Sequence, residues 1–334
     1  MKHAVFRVDA SQATGGGHLV RCLALAEALA ERGWACEFYS TSSTKRFLAD
    51  KFKAKFEFHF DRSLKEMSSN DLTVFDHYRI SKPDEQAIRD QTSCILVIDD
   101  LADRPHVCDV LLDQGYGRSR SDYAELVPRG CKFLLGSDFA LLGSSFLYYR
   151  EIAVKRRQKL HDVERILINF GASDPHQVNQ RVVKALSTIP IFARIDIVAS
   201  RYDSGLAELE AAASRLPDAS VLTDVDDMAP LMAAADLAFG APGVSAWERC
   251  AVGLPSVLVM TADNQSRNYK NLVGEGAAVG LGRYNEITDA SIKGALTDLL
   301  MDPTSLQSMS FRAGDLCDGT GTHRVIDAIA PLCQ

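Results

Sequence analysis

Short apolar runs alternate along the chain with stretches in which apolar residues recur every third or fourth position. The first run, "HAVFRVDAS", predicts a strand from His3 to Val8 that ends in the polar Asp9 and Ser11. In "HLVRCLALAEALAERG" the residues Leu19, Cys22, Leu23, Ala26 and Leu29 share one face of a helix that stops at Gly33. "WACEFYS" is a second strand, and "LTVFDHY", "CILVIDD" and "VCDVLLDQG" are further runs that end in acidic residues. Near-continuous apolar runs of this length are how strands buried on both faces of a parallel sheet read. Between them, "PDEQAIRDQ" predicts a helix with Pro83 in its first turn.

From Tyr148 to Asp162 the texture changes to charged and long side chains, "YYREIAVKRRQKLHD", and a new strand is expected at Ile166 in "VERILINFGASDP". The alternation then repeats through "FARIDIVAS", "GLAELEAAASRL", "ASVLT", "MAPLMAAADLAFGAPG", "SAWERCAVG" and "PSVLVM". The expected class is therefore α/β, with two Rossmann-like domains whose glycine turns face each other across an interdomain cleft. The expected division is a first domain at 1–150, a linker at 151–162, a second domain at 163–303, and a helical tail at 304–334 able to pack back on the first domain.

Composition narrows the function. At 334 residues the chain can build two ordinary cores, and 46% hydrophobic with 24% charged residues is typical of globular proteins. A net charge of -7 gives no bulk attraction to nucleic acid. No apolar run is long enough to span a membrane, and "MKHAVFRVD" meets Asp9 before any signal-like core develops. The 8 cysteines follow no C-x-x-C spacing, so reduced thiols in a cytoplasmic protein are expected. His161, His176 and His323 have no local context and read as surface residues, and His59 in "KFEFHFD" reads as structural. No H-x-x-x-H, H-x-H or D-x-D appears, and no metal site is expected.

The glycine turns carry the candidate chemistry. "GGGHLVRC" joins the first strand to the first helix, where backbone can approach a ligand and the helix N-terminus faces an anion. It lacks the G-x-G-x-x-G dinucleotide pattern and the P-loop Lys-Ser/Thr pair, and offers an imidazole, His18, instead. In "NFGASDP" Gly171, Ala172 and Ser173 could bring N–H groups to a phosphate, with Asp174 as a helix cap, or form a plain strand-to-helix turn. In "FGAPGVSAWERC" Gly240 and Gly243 bracket a strand end. Glu248 could accept from two ribose hydroxyls, or Ser245 and Glu248 could form a capping box.

Taken together, "FRVDASQATGGGHLVRCLALAEAL", "DHY", "VIDDLADRPHVCDVLLDQG", "LLGSDFALL", "NFGASDP", "ADLAFGAPGVSAWERCAVGLPSVLV" and "ADNQ" resemble the UDP-2,4-diacetamido-2,4,6-trideoxy-β-L-altropyranose hydrolases of pseudaminic acid biosynthesis. The resemblance runs in order from residue 4 to about 280. It implies a GT-B architecture related to the N-acetylglucosaminyltransferase that forms lipid II. It also implies inverting, metal-independent cleavage of a UDP-sugar by water, with no cofactor, in a protein expected to be a monomer. It places catalytic roles on His18 as base and on Tyr78 and Asn264. Substrate contacts fall on Asp9, Gly16, Gly17, Arg21 and Gln265, on Gly171, Ala172 and Ser173, and on Gly240, Gly243, Val244, Ser245 and Glu248. Three motifs differ from the family pattern: Ala172 replaces a glycine, Pro242 and Val244 replace a glycine and a serine, and "TGGGH" replaces "IGxGH". Pro242 removes one backbone N–H and Val244 one hydroxyl. Two other readings are a glycosyltransferase using a UDP-N-acetylhexosamine and a non-catalytic nucleotide-sugar binder.

Overall fold

A computed structural model describes every residue except Ala13, Leu160, His161 and Gln334. The chain divides into two compact units, one formed by Met1–Ser144 with Thr320–Gln334 and the other by Ser145–Gly319. Each is a parallel sheet flanked by helices, so the fold is GT-B, built from two Rossmann-like units. Among the described residues no helix is long and apolar enough to cross a membrane.

The first unit holds strands β1 (His3–Val8), β2 (Ala35–Ser40), β3 (Glu57–Phe60), β4 (Asn70–Asp76), β5 (Thr92–Ile98), β6 (Val110–Asp113) and β7 (Lys132–Leu135). Their order is β3-β2-β1-β4-β5-β6-β7, and every pairing is parallel. Alternation along β1 splits its side chains between two cores: Ala4, Phe6 and Val8 join one, and Val5 joins the other with Tyr39, Phe75 and Leu111. Helix α1 (Gly17–Glu31) lays Leu19, Cys22, Leu23, Ala26 and Leu29 on the first of these cores, the stripe its spacing predicts. Two short helices follow, α2 (Asp50–Lys55) and α3 (Lys82–Gln86).

The second unit starts with α4 (Ser144–Arg157), so the charged stretch read as a linker is helical as far as Arg157, and its His161 lies outside the described residues. Strands β8 (Arg165–Asn169), β9 (Arg194–Val198), β10 (Ala219–Leu222), β11 (Leu237–Gly240), β12 (Ser256–Met260) and β13 (Ala278–Arg283) form the sheet β10-β9-β8-β11-β12-β13. Helices α5 (Val178–Leu186), α6 (Leu206–Ala213), α7 (Ala229–Ala234), α8 (Val244–Ala251), α9 (Ser266–Gly274), α10 (Asp289–Met301) and α11 (Pro303–Leu316) complete it.

The last helix, α12 (Gly321–Ile329), belongs to the first unit, where Val325, Ile326 and Ile329 enter the core beside Leu134 and Leu141. Thr322 Oγ1 donates to the Leu142 carbonyl at 2.8 Å and accepts from the Leu142 N–H at 2.9 Å. Gly321 is needed for that docking, because a Cβ there would lie 2.4 Å from the Ala140 carbonyl oxygen.

In each sheet the strand order reverses at one place, between β1 and β4 and between β8 and β11. In open α/β sheets such a reversal opens a crevice at the carboxyl ends of the strands, where ligands bind. Both candidate constellations stand at these two positions.

Candidate active site

In the first unit, β1 and β4 run in register to Val8 and Asp76 and end side by side. After β1 the chain tightens at Gly15, which has φ +71° and exchanges backbone hydrogen bonds with Ser11. That is a conformation glycine adopts without steric cost. Gly16 then occupies the N-cap of α1 and Gly17 its first position, which sets His18 in the first turn and Arg21 one turn on.

Both side chains turn onto Asp76. Its carboxylate meets His18 Nδ1 and accepts from Arg21 Nε at 2.6 Å and Nη2 at 2.7 Å. Asp76 and Arg21 are buried, and His18 is 8% exposed. Burial alone would raise the Asp76 pKa, but the charges of Arg21 and His18 outweigh it and hold the carboxyl well below the usual carboxylate range. An ionised carboxylate only accepts, so Nδ1 of His18 carries the proton and the lone pair stands on Nε2. Arg21 Nη2, 3.2 Å from Nδ1, is then a close neighbour aimed at Asp76 and not a partner of the ring.

Tyr78 follows two residues after Asp76 and sets its ring edge-on to His18, with centroids 4.6 Å apart at 88°. Its hydroxyl donates to Asp100 Oδ2 at 3.3 Å, and Arg21 Nη1 lies 3.6 Å from the same oxygen. Burial, reinforced by Asp100, raises the Tyr78 phenol above its ordinary range, so it remains a hydroxyl. The loop carrying Asp100 is pinned from behind. Arg118 donates to the Asp100 carbonyl at 2.5 Å, and Tyr123 OH reaches Asp99 at 3.0 Å and Asp113 at 2.8 Å. Burial pushes Asp113 up to about 6.

Asp9, expected to touch substrate, is engaged by the protein. Arg7 donates at 2.6 and 3.0 Å, the Thr41 N–H at 2.7 Å and His77 Nε2 pairs at 2.9 Å. Those donors fill the acceptor sites of one carboxylate. They overcome its burial and hold its pKa far down.

In the second unit, β8 leads into Gly171 at φ +108°, a backbone conformation that side chains rarely adopt. The left-handed strain in this turn falls on Gly171 and Gln177, not on Ala172, so alanine fits where the family pattern has glycine. Asp174 accepts from the N–H groups of Val178 at 2.9 Å and Asn179 at 2.7 Å, although α5 itself starts later than the sequence suggests, at Val178.

Gly240 closes β11 under the side chain of Arg249. A Cβ there would lie 2.6 Å from Arg249 Nη1 and 2.8 Å from the Asn169 carbonyl. Gly243 is the N-cap of α8, so Ser245 lies inside the helix and the capping-box reading of Ser245 and Glu248 does not hold. Ser245 Oγ accepts instead from Arg249 at 3.2 Å. Arg249 also donates to the Ala241 carbonyl at 2.7 Å and to Ser256 Oγ at 3.1 Å, fixing the turn from beneath. Glu248, 8% exposed, has no hydrogen-bond donor among the described residues. Burial pushes its carboxyl up to about 7; Arg249 draws it down and Asp227 adds to the rise. Val244 opens α8, and Asn268 Nδ2 donates to the Pro242 carbonyl at 3.2 Å. Asn264 is exposed on the short turn Asp263–Gln265, and Gln265 Oε1 accepts from the Thr261 N–H at 2.8 Å.

The structure thus brings His18, Arg21 and Tyr78 together in one unit, and in the other it ends β8 and β11 side by side, so that the turns at 171–173 and 240–248 leave neighbouring strands. The sequence marks Asp76 and Asp100 as acidic residues at strand ends, without a role in a metal-free site. The signal available was the acidic residue ending each of two neighbouring strands.

The glycosyltransferase family 28 C-terminal domain matches residues 143–316, more than half of the chain. The spore coat polysaccharide biosynthesis protein SpsG of Bacillus subtilis is 25% identical over 99% of both chains. The UDP-2,4-diacetamido-2,4,6-trideoxy-beta-L-altropyranose hydrolase of Campylobacter jejuni is 28% identical over 68% of this chain and 80% of its own. An N-acetylglucosaminyltransferase of Stutzerimonas stutzeri, which acts on an N-acetylmuramyl-(pentapeptide) pyrophosphoryl-undecaprenol, is 32% identical over 50% of this chain and 48% of its own. Among solved structures, MurG of Acinetobacter baumannii superposes with a TM-score of 0.68 at 18% identity, over 99% of this chain and 100% of that one. On these matches and its two parallel-sheet units, the chain belongs to glycosyltransferase family 28 and is a nucleotide-sugar enzyme of GT-B fold.

Proposed function

We propose that the protein breaks the anomeric C–O bond of a UDP-linked amino sugar with inversion, His18 acting as general base on the incoming hydroxyl. The observation that carries this reading is the Asp76 carboxylate on Nδ1 of His18, which leaves Nε2 as the acceptor. The oxygen of the incoming hydroxyl attacks C1 and its proton passes to Nε2. The bond from C1 to the diphosphate oxygen breaks, and its electron pair leaves with UDP. Tyr78 and Asn264 orient the sugar or the attacking oxygen. Glu248 accepts from the ribose hydroxyls, the turn at 240–245 receives the diphosphate at the N-terminus of α8, and the turn at 171–173 adds backbone N–H groups.

Family membership and the transferase relatives support a sugar hydroxyl as acceptor, the donor being a UDP-N-acetylhexosamine. The hydrolase relative, matched over most of its length, supports a second reading in which the acceptor is water and the substrate a UDP-2,4-diacetamido-2,4,6-trideoxyhexose. The test supplies each UDP-sugar without any acceptor. Equal amounts of UDP and free sugar, with the anomer identified by NMR, select water. UDP release only when an acceptor glycan is added selects transfer. Binding of UDP with no turnover in either arm overturns both readings in favour of a nucleotide-sugar binder.

A further inference from the structure

At the other end of the first unit's sheet, parallel register assembles a group that no sequence spacing reveals. Val5 pairs with Glu37 and Glu37 with Glu57, while Tyr39 pairs with His59. Residues two apart on a strand share a face, so His3, Glu37, Glu57 and His59 all stand on one face of β1, β2 and β3. We propose that Glu37, Glu57 and His59 bind one divalent transition-metal ion, Zn(II) by their donor chemistry, with His3 holding Glu37 from behind.

Three observations carry this. Glu37 and Glu57 are directly opposite each other on adjacent parallel strands, which places two carboxylates where one cation can neutralise both. The donors also converge. His59 Nε2 is 2.7 Å from Glu37 Oε2 and 3.6 Å from Glu57 Oε1, and one donor atom from each of the three residues lies within 4.8 Å of the others. A tetrahedral ion with bonds of about 2.0 Å needs donors about 3.3 Å apart, so small side-chain shifts suffice. Finally, the group is supported as metal ligands usually are. His3 Nε2 faces the second Glu37 oxygen at 3.4 Å, and the Tyr39 ring packs against the His59 imidazole with centroids 4.6 Å apart.

One imidazole and two carboxylates suit zinc better than magnesium or calcium, which favour all-oxygen sets. Three protein ligands leave a fourth position for water. His59 and Glu37 have side chains only 11% and 13% exposed, whereas Glu57 is 72% exposed and closes the site from the solvent side. The ion would fasten β3, a four-residue edge strand, to β2. It stands toward the amino ends of these strands, away from the carboxyl ends that carry His18 and Asp76, so its role is in stability and not in turnover.

The test uses the whole protein without a histidine tag, stripped with EDTA and dialysed. Zn(II) is titrated by calorimetry, Co(II) by visible absorption, and Tm is followed with Zn(II) and with Mg(II). The expected result is one ion per chain, d–d bands of tetrahedral intensity, and a Tm raised by Zn(II) but not by Mg(II). His59→Gln and Glu37→Gln should abolish saturable binding, and His3→Gln should weaken it about 10–100-fold, as loss of an outer partner does. Glu57→Gln, at an exposed position, will fold whatever the others do and must also lose Zn(II) affinity. No saturable Zn(II) binding by the wild type, or unchanged affinity in Glu57→Gln, overturns the proposal.

Discussion

Asp76 fixes His18 by accepting from its Nδ1, and so decides which imidazole nitrogen faces outward. The same carboxylate is gripped by Arg21 through two N–H groups, which leaves it no freedom to turn away.

Asp76→Asn should therefore lower turnover by about 100-fold or more, because the ring loses its ionic anchor and its fixed tautomer. It also leaves the buried Arg21 with only the more distant Asp100 as counter-charge, which should destabilise the fold by up to about 3–5 kcal/mol, the cost of breaking a buried pair. The pH dependence has a definite sign. The folded Asp76 pKa lies below its unfolded value of about 3.9, so the stabilisation is full above that pH and declines as pH falls. Denaturant unfolding of both proteins should show a wild-type advantage at pH 7 that is smaller at pH 3. An advantage that did not shrink in acid would contradict the assignment.

Tyr78 and Asp100 should act as a unit, since the phenol donates to the carboxylate while its ring packs on His18. Tyr78→Phe keeps the ring contact and removes the hydroxyl, and it should cost roughly 3–10-fold in kcat, the worth of one ordinary hydrogen bond. Asp100→Ala, which removes the acceptor, should cost a similar factor. The double variant should lose no more than the weaker of the two, because each single change already removes the shared contact. Losses that multiplied would mean that the two residues act independently.

Glu248 should report on the nucleotide. With no donor on its carboxylate among the described residues, Glu248→Gln should weaken UDP binding by roughly 1.5–3 kcal/mol while wild-type protein discriminates UDP from 2′,3′-dideoxy-UDP. Calorimetry showing equal wild-type affinity for the two nucleotides would remove the ribose role. Stability gives a second check. The folded pKa is raised to about 7, so charging Glu248 is resisted only in the folded protein, and the penalty grows as pH rises from about 4.3 toward 7. Glu248→Gln should then be more stable than wild type at pH 8 and equal to it near pH 4.

Much of the fold was open to sequence reading because it rests on local periodicity. The apolar stripe of α1 and the strand endings at Val8 and Asp76 follow from residue spacing alone, and His18 stands out because three glycines precede it. What could not be read depends on contacts across the sheet. Asp76 reaches His18 only because β1 and β4 are neighbours at the strand-order reversal, although they are separated by two strands in sequence. The S-x-x-E spacing at Ser245 suggested a capping box, yet Gly243 takes the N-cap and Ser245 partners Arg249. Gly240 is required by the Arg249 guanidinium lying over it, a contact that no local pattern records. The metal-ligand spacings sought along the chain were absent, while Glu37, Glu57 and His59 meet through register.

Turnover should not depend on a divalent metal. If the diphosphate sits on the turns of the second unit as proposed, their backbone N–H groups and the N-terminus of α8 can offset its charge. Excess EDTA should leave the rate of UDP release unchanged, even if it lowers Tm by emptying the Glu37 site. A large fall in rate, restored by Mg(II) or Mn(II), would contradict this, and Asp99, Asp100 and Asp263 would be the ligands to test.

The central claim is that His18 takes the proton of the incoming hydroxyl. The most direct measurement is kcat for UDP release by His18→Asn beside its UDP affinity by calorimetry, in the same preparation. A placed general base contributes about 100-fold or more, and the proposed nucleotide contacts are on other residues. The account predicts a kcat at least about 100-fold below wild type with UDP affinity little changed; a variant that kept most of its turnover would contradict it.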